Sequence, residues 1–118
     1  MNEETDLIEV AILNHMKAAM DCKVCTEFPE GDTPEYLVVL EKSEGSQEDH
    51  IDSAMFLVQS YGPSKLAAAM LNEAAKKAML RLEELPRIVE CTLNSDYPFP
   101  DTKRNRHRYQ AVFDITHY

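Results

Sequence analysis

The run Tyr109-Gln-Ala-Val-Phe-Asp-Ile-Thr-His-Tyr118 decides the fold, because its residues alternate as a half-buried strand does. Tyr109, Ala111, Phe113, Ile115 and His117 fall on one side of an extended backbone; Arg108, Gln110, Val112, Asp114, Thr116 and Tyr118 fall on the other. Such a strand is held only where neighbouring strands pair with it, so the segment reads as part of the fold and not as a tail. Ahead of it lie a Pro-broken turn from Tyr97 and the basic cluster Lys103-Arg104-Asn105-Arg106-His107-Arg108.

Working towards the N-terminus, Ile88 to Leu93 predicts a strand, with Asn94 to His107 as a loop after it. Ile51 to Tyr61 predicts a longer one, apolar on both faces from Ala54 to Val58 as a central strand is. Tyr36 to Lys42 predicts a third, and Ser43 to His50 reads as an exposed polar loop of eight residues. Lys23 to Phe28 forms a short alternating segment with Val24, Thr26 and Phe28 on one side, cut off by Pro29.

Two stretches carry helical spacing. Asp6 with Glu9 resembles a capping box, and apolar residues from Leu7 to Met20 recur at helical intervals through about Asp21. Ser64 caps a second helix from Lys65 to Leu85, stopped by Pro86, with Ala67, Met70, Leu71, Ala74, Ala78, Leu82 and Leu85 as its inward stripe. The order helix-strand-strand-strand-helix-strand-strand implies an α+β fold: a mixed or antiparallel sheet of four to five strands packed against two helices on one face. The uncovered face is left for water or a partner. At 118 residues and 44% apolar composition, residues 1–118 suit a single domain.

Charge is unevenly spread. Residues 1–52 carry fourteen acidic side chains against three lysines, residues 53–98 balance at five each, and residues 99–118 carry four basic against two acidic, within a total of −9. An acidic chain does not hold phosphates through its overall field, so specific nucleic-acid binding is not expected. Opposed flanks on one molecule suit head-to-tail contacts between copies. No run of about eighteen uncharged apolar residues occurs, and Asn2-Glu3-Glu4-Thr5-Asp6 is the reverse of a basic signal-peptide start, so the chain reads as soluble, cytoplasmic in origin and without a membrane partner.

Nothing in the chain marks catalysis, so it reads as non-enzymatic. Cys22-Lys23-Val24-Cys25 has redox-like spacing, but it follows a helix where a redox pair opens one. Only Cys91 and the scattered His15, His50, His107 and His117 remain to complete a zinc site, and no second ligand pair exists. With three glycines the chain cannot build a phosphate loop. No cofactor is therefore expected.

The segments Glu35 to Lys42, Ile51 to Tyr61, and Asp96-Tyr-Pro98 through Arg108 to Tyr118 resemble the small tail-terminator or tail-completion proteins of long-tailed bacteriophages and of prophages of Gram-positive bacteria. The likeness spans most of the chain in the same element order, and its motifs are strand patterns without a catalytic signature. It implies a virion protein, made in the bacterial cytoplasm, that caps the head-proximal end of the tail tube as a ring, usually of six. Its partners would be copies of itself, the tube protein and the head connector, with DNA passing through the lumen unbound. The expected ring contact sets Asp101, Lys103, Arg104, Arg106 and Arg108 of one copy against Glu44, Glu48 and Asp49 of the next. The alternatives are a head–tail joining protein and a small host-encoded protein-binding module.

Overall fold

In the computed structural model, which describes residues 7–48 and 51–118, the elements follow the expected order. Helix α1 (Ile8–Ala19) buries Ile8, Ile12 and Met16, spaced four apart on one stripe. The capping role expected of Asp6 lies outside the described residues. Helix α2 (Lys65–Leu80) opens on Ser64, whose Oγ accepts the Ala67 N–H at 3.1 Å. The strands are β1 (Lys23–Cys25), β2 (Leu37–Glu48), β3 (Ile51–Gly62), β4 (Ile88–Pro98) and β5 (His107–His117). They form one five-stranded sheet in the order β1-β2-β3-β5-β4, with β1 parallel to β2 and every other pair antiparallel. The fold is thus α+β with a mixed sheet. Among the described residues no helix is long and apolar enough to cross a membrane.

Both helices pack on one face. Ile12 and Met16 of α1 and Ala75, Ala78 and Met79 of α2 share a core with Val38, Leu40, Phe56, Val58, Ala111, Phe113 and Ile115 of the sheet. His15 joins the helices, its Nε2 lying 2.7 Å from the Ala78 carbonyl oxygen. A second, smaller cluster sits on the opposite face, where Leu37, Val39 and Tyr61 are covered by Cys25 and Phe28. The sequence reading put Val24 and Phe28 on one side. The chain leaves the strand after Cys25, and this turn carries Phe28 across to the other face.

Four other expectations are corrected. Ser43–Glu48 is not a loop: it continues β2, paired with β3 as far as Glu48 opposite Ile51, with a bulge between Lys42 and Glu44. Its side chains are exposed on both faces, so backbone pairing alone holds it and no apolar alternation marks it. Asn94–Pro98 likewise continues β4, against β5. Helix α2 stops at Leu80 and a 3-10 turn, Arg81–Glu84, follows. The buried stripe of α2 is Ala68, Asn72, Ala75, Ala78 and Met79, so Met70 and Ala74 face outwards instead of in.

Candidate functional site

The turn between β4 and β5 places the basic cluster beside the end of β3 where Tyr61 lies. Register pairs Tyr61 with both Leu37 and Arg108, and Asp101 bridges to Arg106 across the turn, with Asn105 in the left-handed region at φ 54°. The predicted arginines fold back onto their own chain. Arg106 donates to Thr33 Oγ1 and to the carbonyl oxygens of Pro34 and Glu35, while Arg108 donates to the Phe99 carbonyl and to Tyr61 Oη. Arg104 lies 4.1 Å from the Phe28 ring centre and Arg108 lies 4.3 Å from that of Phe99; Arg106 and Arg108 flank Tyr61 at 5.3 and 5.6 Å.

At the centre is Asp101, which is 3% exposed. Its carboxylate accepts from Tyr61 Oη at 2.9 Å, from the Arg104 N–H at 3.1 Å and from the Arg104 guanidinium at 3.1 Å, with Arg108 at 3.7 Å. Burial pushes this carboxyl up, but the Tyr61 and Arg104 hydrogen bonds and the Arg108 charge outweigh it and hold the group below the usual carboxylate range. Burial, helped by the Asp101 hydrogen bond, raises the Tyr61 phenol against the opposing pull of Arg108. Within this group Lys103 is exposed and makes no ion pair among the described residues.

Glu44 and Glu48 are brought nowhere near this cluster. They stand on β2 seven and eleven residues beyond Leu37, hence about 23 and 36 Å along the strand from the Tyr61 end. Asp49 lies outside the described residues. Glu44 and Glu48 and the basic cluster therefore lie towards opposite ends of the sheet, and one chain cannot bring them together.

The open face between these ends was not anticipated in detail. Gln59 Nε2 donates to Gln110 Oε1 at 3.0 Å, and Gln110 Nε2 donates to Tyr97 Oη at 2.6 Å, a polar rail across β3, β5 and β4. Spacing alone could not reveal it, because only the strand order sets these three side chains side by side. On the helix side, Asp96 accepts from Asn72 Nδ2 at 2.9 Å and from Lys76 Nζ at 2.8 Å, tying α2 to β4.

Cys22 and Cys25 are split between the two faces of the sheet, Cys22 against the helix-side core and Cys25 against the Tyr61 cluster. Among the described residues no three His, Cys, Asp or Glu side chains gather in a metal-binding arrangement.

No family model and no curated protein matches the chain. Solved structures do match, and one of those that do corresponds to it from end to end. The chain shares its fold with a chain from the virion of a native gene transfer agent particle. The TM-score is 0.72, with 99% of this chain and 98% of the virion chain covered at 14% identity. At that identity the likeness is one of fold. The virion chain is matched almost completely, with neither chain left a sizeable extra part.

Proposed function

We propose that the protein is a structural component of a phage-like virion, and specifically a tail-terminator or tail-completion protein. It caps the head-proximal end of the tail tube as a ring of about six copies, docks to the head connector and lets DNA pass without binding it. The observation that carries this reading is the end-to-end correspondence with a gene transfer agent virion chain. The surface supports it. Acidic Glu44 and Glu48 and the exposed Lys103 stand at opposite ends of β2 and its neighbours, as a head-to-tail contact between copies requires. Arg104, Arg106 and Arg108 contribute to that contact by shaping the turn that carries Lys103, since their own guanidinium groups are engaged within the chain.

Light scattering over a concentration and salt series tests the reading, together with negative-stain images of the protein mixed with tail tubes. A species near six times the 13.5 kDa chain mass, loosened by salt, or density at one tube end, supports it. A monomer throughout that also leaves tube ends bare overturns it.

A further inference from the structure

Strand β1 covers only the start of β2. Its residues Lys23, Val24 and Cys25 pair with Leu37, Val38 and Val39, and among the described residues nothing pairs with β2 on that side from Leu40 to Glu48. The strand ends at Cys25, so β1 pairs with no more of β2 than this. In a strand, about half of the main-chain N–H and C=O groups face each neighbour, so this edge presents a row of open donors and acceptors.

Beside the free edge runs a groove of about 400 Å3, floored by Leu7, Val10 and Leu13 of the α1 region and by Leu40 and Phe56 of the sheet. Leu7 is 50% exposed there. On the opposite side of the edge the register sets Glu41, Glu44 and Glu48 against Leu57, Met55 and Ile51, on the face away from the helices. Glu9 and Glu27 also line the groove, with Lys42 as the one cation. None of these carboxylates makes an ion pair among the described residues.

We infer that the free edge of β2 accepts an added strand from another protein, an extended segment that alternates apolar and basic side chains. Main-chain hydrogen bonds to Leu40–Glu48 supply the register. Alternate side chains of the added strand point to opposite faces, so the apolar set enters the groove over Leu7 and Val10 while the basic set meets Glu41, Glu44 and Glu48. Charge excludes this chain as its own occupant. Residues 2–6 are acidic, the free edge strand β4 carries Glu90 and Asp96 with no Lys or Arg, and the basic cluster is folded around Tyr61. The inference does not depend on ring formation.

The test uses the isotope-labelled chain titrated with a synthetic peptide of alternating valine and lysine, long enough to span the edge, read by amide NMR shifts. Shifts in Leu40–Glu48 and Leu7–Leu13, with slowed amide exchange along β2, are expected. Leu7→Asp and Glu41→Lys each lie at exposed positions and should each weaken binding about tenfold. A peptide of alternating proline and lysine, equal in charge but poor in main-chain donors, should leave these residues unshifted. Equal binding of the proline peptide, shifts confined to Ile88–Pro98, or no shift at millimolar peptide would each overturn the inference.

Discussion

The Tyr61 hydroxyl donates a 2.9 Å hydrogen bond to the Asp101 carboxylate, and the two residues are 1% and 3% exposed. Forty residues apart in sequence, they lock the β4–β5 turn to the central strand. A buried carboxylate is tolerated there because every approach to it is a donor.

Asp101→Asn keeps the shape but removes the charge that Arg104 and Arg108 face, so a loss of about 2 kcal/mol in urea denaturation at pH 7 is expected. The folded carboxyl titrates below its unfolded value of about 3.9. Its contribution is therefore complete above about pH 4 and is lost as pH falls through the folded value. The gap between parent and variant should close in acid. A gap that persists unchanged at pH 3 would show that the charge is not what stabilises the turn.

Gly62 permits a close approach where β3 hands over to α2. A Cβ at that position would lie 2.6 Å from the Ala68 nitrogen and 2.9 Å from the Ala67 carbonyl carbon, both main-chain atoms that cannot swing aside. Gly62→Ala should cost about 1–3 kcal/mol by lifting the start of α2 from the sheet. Thermal unfolding measures it, and an unchanged midpoint refutes the packing argument.

Much of this architecture was legible where apolar residues alternate or recur. Strand β5 shows it best: Ala111, Phe113 and Ile115 are all buried on the helix side, as the spacing predicts. Ser43–Glu48 was illegible because none of its side chains is buried, and hydrogen bonds to β3 leave no trace in hydropathy. The stripe of α2 was misplaced because alanines occur all round the helix; Asn72, counted as polar, is buried since Asp96 accepts from its amide. A run of basic residues likewise cannot disclose that its arginines turn inwards. Thr33, Phe28 and Tyr61, which receive them, lie more than forty residues away.

Cys91 should be the last thiol to react. Burial, with Glu83 adding to it, pushes its pKa up to about 12, and its Sγ donates to the Met79 carbonyl at 3.3 Å. Cys22 and Cys25 are only half-buried, though burial raises both. Titration with an aromatic disulfide reagent near pH 8 should label those two in the folded protein and the third only after denaturation. Rapid labelling of all three would contradict the packing of α2 over β4.

Asp96 is the anchor between α2 and the edge strand. Hydrogen bonding to Lys76 holds its carboxyl low against the opposing effect of burial, and the same contact leads the rise of the Lys76 ammonium. Asp96→Ala should cost about 1–2 kcal/mol, since Asn72, at 1% exposure, loses the acceptor of its amide. Hydrogen exchange in β4 should quicken locally. Unaltered protection from Cys91 to Tyr97 would mean that main-chain pairing to β5 suffices.

Arg106 and Lys103 separate folding from assembly. The Arg106 guanidinium reaches Thr33, Pro34 and Glu35 at once, a fan of three bonds that a lysine cannot reproduce. Arg106→Lys should therefore loosen the Glu27–Glu35 connection, costing about 1 kcal/mol and quickening proteolysis near Gly31. Reversing Arg104 and Arg106 together would disturb the turn as well as any contact between copies, so lost rings in that variant would not identify an interface. Lys103→Glu is the clean probe. Its side chain is exposed and outside every ion pair among the described residues, so stability should hold within about 0.5 kcal/mol. If acidic Glu44 and Glu48 of a neighbouring copy face it, the assembled mass should fall and Glu44→Lys should restore it. Rings unchanged in Lys103→Glu would remove that residue from the contact.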